Sequence, residues 1–182
     1  YLRLGYRIVV LALIDHKAQQ LKRISISQTE EAKKALAVTP VPFHEIIVPL
    51  NEAESYCTKV IKENIPYVTH DWYDILRPTY TVEEARRVQQ IVGIKTSMIY
   101  PVSYHGSVEG VLIFSLVKDE NEVSDEEKDL IRGFTDVVGI AVQNAKLYTT
   151  LDRTSAQLKQ ANIRLEEIDK INQRDWKTLN EV

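Results

Sequence analysis

Between Tyr67 and Tyr80 the chain reads YVTHDWYDILRPTY, in which four aromatic residues, Tyr67, Trp72, Tyr73 and Tyr80, surround one cation, Arg77. Aromatic walls with a few polar tips suit a small planar or anionic ligand. A long irregular stretch inside a compact domain is also where binding groups gather. The opposing reading is that the same rings plug a sheet face against which irregular backbone packs poorly. Catalytic patterns are missing. The four histidines, His16, His44, His70 and His105, are scattered over turns and loops without metal-ligand spacing. His70-Asp71 has the types for half of a metal or acid-base pair, but an exposed loop pair is the commoner case. Six glycines form neither a Walker loop nor a dinucleotide fingerprint, and Gly106 and Gly110 mark a hairpin. The single cysteine, Cys57, reads as a small buried apolar residue. It excludes an intrachain disulfide framework and fits a reducing, cytoplasmic compartment.

Of 182 residues, 44% are hydrophobic, enough for one domain with a sizeable core plus an extension. The net charge of −3, with no basic run, argues against a nucleic-acid or anionic-lipid surface. No stretch is long and apolar enough to span a membrane, so no membrane contact is expected, and no signal peptide is visible. Tyr1 is not an initiator methionine and the chain opens almost directly on a strand. The expectation is therefore a fragment of a longer protein, with an N-terminal helix truncated.

Several elements must position the aromatic group. YRIVVLALI, DHKAQQ and LKRISIS, residues 6 to 27, predict a hairpin with one strand buried on both faces and its partner on one. Thr29 opens a short helix that ends near Pro40 and Pro42, and a strand follows over 46 to 50. Asn51 to Asn64 predicts an amphipathic helix with Ala53, Cys57, Val60 and Ile61 on one side. Thr81 with Glu84 caps the helix TVEEARRVQQI. Two apolar strands, Ser97 to Tyr104 and Val108 to Val117, join across His105-Gly106-Ser107. VLIFSL is apolar at nearly every position, which calls for cover on both sides of the sheet.

The last helix starts at Ser124, with Glu127 in the capping-box position. Leu130, Phe134, Val137, Val138 and Ala141 form a stripe expected to pack on the sheet. Beyond Asn144 the pattern becomes heptad: Leu151, Leu158 and Leu165 recur every seven residues, with Leu147, Ala161 and Ile168 between them. Six basic and six acidic residues are balanced from Leu151 onward. This is the seam of a homodimeric coiled coil, weakened by Thr154 and Asn172. No histidine follows His105, so the rod carries no kinase phosphoacceptor.

The chain resembles a GAF domain over about residues 2 to 150. LGYRIVVLALID, IIVPLNEAESYCTKVIKENIPYV, YPVSYHGSVEGVLIFSL and VSDEEKDLIRGFTDVVGIAVQNAKLY carry the resemblance. It implies an α+β fold, an antiparallel sheet with helices on both faces, whose last helix extends as a coiled coil. The resulting division is a sensor domain at 1–146 and a signalling helix at 147–182. The KTLNEV tail resembles the opening of another such domain. The resemblance also places a pocket between the sheet and the loop-helix layer, with either Ser97 and Ile99 or Met98 and Tyr100 as its floor, because alternation lets only one set point inward. Tyr67, Trp72, Tyr73, Arg77, Tyr80, Ser97 and Tyr100 are thus the candidate ligand-binding residues.

Departures from the family pattern bear on the ligand. Asp125 and Glu126 are present, but Val123 stands where cyclic-nucleotide binders carry phenylalanine, and the Asn-Lys pair is missing. Cys57 is followed by Thr58 rather than the histidine of many bilin binders. One cysteine cannot cycle through the intramolecular disulfide of methionine-sulfoxide-reducing members. Cyclic nucleotide, bilin and haem are unsupported, and no cofactor is evident. The expectation is a non-catalytic sensory module of a signalling protein, of sensor histidine kinase type, taking an unknown small molecule. The alternative is a ligand-free structural dimerisation spacer.

Overall fold

The computed structural model describes the backbone of residues 6–180 and the side chains of residues 6–170. Residues 1–5 and the last two residues of the KTLNEV tail lie outside the described residues, as do the side chains of Asn172 and of the rest of that tail. Backbone contacts divide the chain into two compact units, Tyr1–Ile140 and Ala141–Val182.

In the first unit, β1 (Tyr6–Asp15) and β2 (Gln20–Ile26) make the expected hairpin. The helix after Thr29 is α1 (Glu30–Val38), with the Thr29 hydroxyl accepting from the Ala32 amide. A short 3₁₀ turn, Phe43–Glu45, precedes β3 (Ile47–Pro49). Helix α2 (Tyr56–Glu63), strand β4 (Tyr67–Thr69) and the single turn α3 (Tyr73–Leu76) lead to α4 (Val82–Val92). Strands β5 (Thr96–Tyr104) and β6 (Ser107–Leu116) form the second hairpin, turning on His105 and Gly106, both at positive φ. The sheet is antiparallel throughout, in the order β3-β2-β1-β6-β5-β4. Helix α5 runs unbroken over Asp125–Asn180. No described helix is long and apolar enough to cross a membrane.

One sheet face carries Ile8, Ala12, Leu21, Ile99, Val111 and Ile113 into the main core. The other presents Tyr100 and Phe114, whose rings meet edge-on at 6.1 Å, with Phe134 of α5 a further 6.2 Å from Phe114. Helices therefore cover both faces, which is why VLIFSL is apolar nearly throughout.

Three expectations are corrected. The second helix starts at Tyr56 behind Ser55, not at Asn51, and Ala53 is exposed before it. Glu52 and Glu54 pair through a side-chain-to-backbone hydrogen bond, the local competition that keeps carboxylate-rich turns out of helix. Within the loop-like 67–80 stretch, α3 forms because the Asp71 carboxylate accepts from the Tyr73 amide and starts the turn. The stripe on the last helix meets the sheet only along one edge: Phe134 touches Phe114 and Val138 is half-buried, but Leu130 is 56%, Phe134 51% and Val137 62% exposed, and Ala141 is exposed too. Ile131, Thr135 and Gly139 are buried instead. At Gly139 the helix backbone comes so near the Ser103 carbonyl that an added Cβ would sit 2.5 Å from its oxygen. Close approach selects the face with small side chains rather than the bulky one.

Candidate functional site

A cavity of about 60 Å³ lies between the sheet and the layer of α1, α3 and α4. Ile8 and Val10 of β1, Arg23 and Ile26 of β2, and Ile113 and Ser115 of β6 line its floor. Ala35, Thr39, Phe43, Trp72, Ile75 and Tyr80 are in the opposing wall.

Strand alternation alone does not bring Arg23 and Ile26 to one face, since they are three residues apart. A β-bulge does. Leu11 pairs with Ser25 and Ala12 with Arg23, so Ile24 is the extra residue, turned outward and 47% exposed. Arg23 follows Leu21 by two residues and shares its inward face, where it is only 4% exposed, and the one-residue slip after it brings Ile26 to that face as well. Its Nη2 donates to the Ile75 carbonyl oxygen at 2.7 Å. The Cys57 thiol points at the same carbonyl at 3.9 Å. Among the described residues no carboxylate pairs with Arg23. Burial pulls the guanidinium pKa down, while neighbouring Cys57 and Tyr80 act in the opposite direction. Burial pushes the Cys57 thiol up.

Of the seven candidate residues, Trp72 and Tyr80 line the cavity. Trp72 is held at both ends. Its indole Nε1 donates to the Ser97 hydroxyl at 3.0 Å, and its backbone amide to Gln89 Oε1 at 2.8 Å. Ser97 in turn meets Ser115 across the β5-β6 pair at 2.8 Å. Ser97 thus shares the cavity side of β5 with Ile99. Tyr80 is 2% exposed, and its hydroxyl has no hydrogen-bond partner. Burial pushes the phenol pKa up, while Thr39, whose hydroxyl donates to the Leu36 carbonyl, and Arg23 oppose that shift.

The other four lie elsewhere. Tyr100 faces away from the cavity, on the α5 side, so Met98 and Tyr100 are not its floor. Tyr67 stacks edge-on to Tyr56 at 5.3 Å and donates to Glu63. Arg77 sits 5.0 Å from the centre of the Tyr73 ring and 3.6 Å from Glu52. The aromatic group is thereby split into a cavity pair and a surface pair. Sequence reasoning missed Arg23, Thr39, Phe43 and the tether Gln89. A lone arginine in LKRISIS carries no local sign that the face it shares with Leu21, rather than the one opposite, is the buried one.

The arrangement provides a small chamber with an almost wholly apolar accessible lining, the Arg23 cation and the Tyr80 hydroxyl being buried behind it. It contains no nucleophile with an adjacent base.

Comparison with known proteins places this geometry. No curated protein matches the chain. Among solved structures, the GAF domain of a two-component sensor histidine kinase from Bacillus halodurans is 13% identical. Its TM-score is 0.57, over 79% of this chain and 85% of that one. A GAF domain/HD domain protein from Geobacter sulfurreducens is 16% identical with TM-score 0.57, covering 80% and 85%. The GAF domain of a phosphoenolpyruvate-protein phosphotransferase from Coxiella burnetii is 12% identical with TM-score 0.58, covering 81% and 77%. At these identities the likeness is one of fold. The GAF domain family model matches residues 4–142, the strands and helices that enclose the cavity and the first part of α5, so the chain belongs to the GAF domain family.

Proposed function

We propose that this GAF domain is a sensory or regulatory module of a multidomain, cytoplasmic signalling protein, one of sensor histidine kinase type. A small ligand occupies the cavity between the sheet and the helical layer, and occupancy is relayed through a homodimer formed by α5. The observation that carries the reading is the cavity itself, walled by Trp72 and Tyr80 and lined almost wholly by apolar surface. A chamber of this composition is the common form of a small-molecule site.

The relay rests on heptad register. Leu130, Val137, Leu151, Leu158 and Leu165 share one seam position, and Ile140, Leu147, Ala161 and Ile168 the other. All are exposed in the single chain. A parallel dimer would cover them and let a change at the cavity alter the crossing of two helices.

A thermal-shift screen of small metabolites tests the ligand reading. A sensor gives at least one compound that raises the wild-type melting temperature but not that of Trp72→Ala or of Ala35→Val, which fills the cavity. Silence across a broad library returns the domain to the spacer reading, with its own aromatics filling the pocket.

A further inference from the structure

Almost nothing polar opens into the cavity between the sheet and the helical layer. The polar groups around it are engaged with one another or shut off. Trp72 Nε1 donates to the Ser97 hydroxyl at 3.0 Å, Ser97 meets Ser115 at 2.8 Å, and the Thr39 hydroxyl donates to the Leu36 carbonyl at 3.1 Å. Arg23 Nη2 is turned to the Ile75 carbonyl at 2.7 Å, and the Tyr80 hydroxyl is closed to water. What stays accessible is hydrocarbon, from residues such as Ile8, Val10, Ile26, Phe43 and Ile113. A water held in such a space needs several hydrogen-bond partners, and an apolar chamber without them stays dry. A charged or strongly polar occupant would lose its hydration with nothing to replace it. Left empty, the walls forgo dispersion contacts that a closely packed interior ordinarily makes.

Resting on the sensory reading above, we infer that the ligand is an uncharged apolar molecule of about three or four non-hydrogen atoms, a short hydrocarbon in chemistry. The upper limit comes from volume: the cavity of about 60 Å³ holds roughly four such atoms, counting about 15 Å³ for each water-sized group. The lower limit comes from contact. A diatomic gas would fill about half of the space and leave part of the wall without a partner atom. Leu36, in the last turn of α1, is 39% exposed, and Phe43 beyond it is half-buried, so both reach from the cavity to the surface. The ligand enters from that side.

The test uses the full 182-residue chain with isobutene, acetone and acetate, which share one flat skeleton carrying no, one and two oxygens. Isoleucine and valine methyl resonances are followed by NMR in each titration, beside thermal melts, with sodium chloride matching the ionic strength of acetate. Isobutene should shift the methyls of Ile8, Val10 and Ile113 saturably and raise the melting temperature. Acetone should bind at least about tenfold more weakly, the loss typical of burying a carbonyl without a hydrogen bond, and acetate should leave those methyls unmoved. Ala35→Val fills the chamber and should abolish the isobutene shifts. Should that variant fail to fold, Ile113→Val adds room for one carbon and should turn the preference from isobutene to the larger 2-methyl-2-butene. The inference is overturned by acetone or acetate binding as tightly as isobutene, by isobutene shifts that are absent or never saturate, or by isobutene binding untouched in a folded Ala35→Val. Acetone or acetate shifting the cavity methyls with isobutene inert would overturn the apolar class and leave the sensory reading standing. Silence of all three, joined by silence of the metabolite screen, would remove both.

Discussion

Glu127 secures the start of α5 in two ways. Its carboxylate accepts from the Ser124 amide at 2.9 Å, while its own amide donates back to the Ser124 hydroxyl at 3.2 Å. The same carboxylate accepts from Lys118 Nζ at 2.6 and 2.7 Å, tying the end of β6 to the helix. The Lys118 hydrogen bond, helped by Ser124, holds its pKa below the usual carboxylate range against a smaller opposing effect of burial. A depressed folded pKa means the stabilisation is complete above the unfolded value near about 4.3 and is lost as pH falls through the folded one. Glu127→Gln should cost about 1–2 kcal/mol at neutral pH, the sum of a helix cap and a partly buried ion pair. Urea unfolding should show the gap to wild type closing as pH drops below about 4. A gap that stays constant with pH would contradict the ion pair.

At the scale of elements, two glycines of α5 make opposite predictions. Gly133 is exposed and a Cβ added there would meet nothing within 4 Å, whereas a Cβ on Gly139 would meet the Ser103 carbonyl oxygen at 2.5 Å. Gly133→Ala should therefore stabilise by up to about 1 kcal/mol, the helix propensity difference alone. Gly139→Ala should destabilise by about 1–3 kcal/mol despite the same propensity gain, because α5 must lift from β5. Equal effects of the two substitutions in thermal melts would refute the close approach.

What could be read from the chain was what neighbours in sequence decide. The capping boxes at Thr81 with Glu84 and at Ser124 with Glu127, and the turn at His105-Gly106, are set within a few residues and stand as expected. What misled is decided across the sheet. The bulge at Ile24 depends on how β2 pairs with β1, and it brings Ile26 to the inner face that Leu21 and Arg23 share. The face that α5 offers depends on where Ser103 is reached, not on which of its residues are most apolar. Trp72 and Tyr80 were nameable as pocket residues by type, but their cationic neighbour in the cavity is Arg23, 49 positions before Trp72 by subtraction of residue numbers, not the nearby Arg77.

For the molecule as a whole, the outstanding question is association. Leu147, Leu151, Leu158, Leu165 and Ile168 are between 53% and 64% exposed, a repeating apolar edge that a single helix gains nothing by showing to water. Sedimentation equilibrium should give a dimer for the full chain and a weaker or absent one for a chain ending at Lys146. Leu158→Lys in the full chain should shift the balance toward monomer. Identical monomeric masses for both lengths would remove the coiled-coil seam from the proposal.

The size of the cavity sets a limit on sensitivity. With room for roughly four non-hydrogen atoms, and a ceiling near 1.5 kcal/mol for each, a filled chamber yields at most about 6 kcal/mol, a Kd of tens of micromolar. At an ordinary association rate of about 10⁶ M⁻¹s⁻¹ the occupant leaves within tens of milliseconds. Such a chamber is unsuited to catching a trace signal. On the sensory reading it would follow an abundant metabolite as a gauge follows pressure, filling and emptying with the pool and keeping no memory of it.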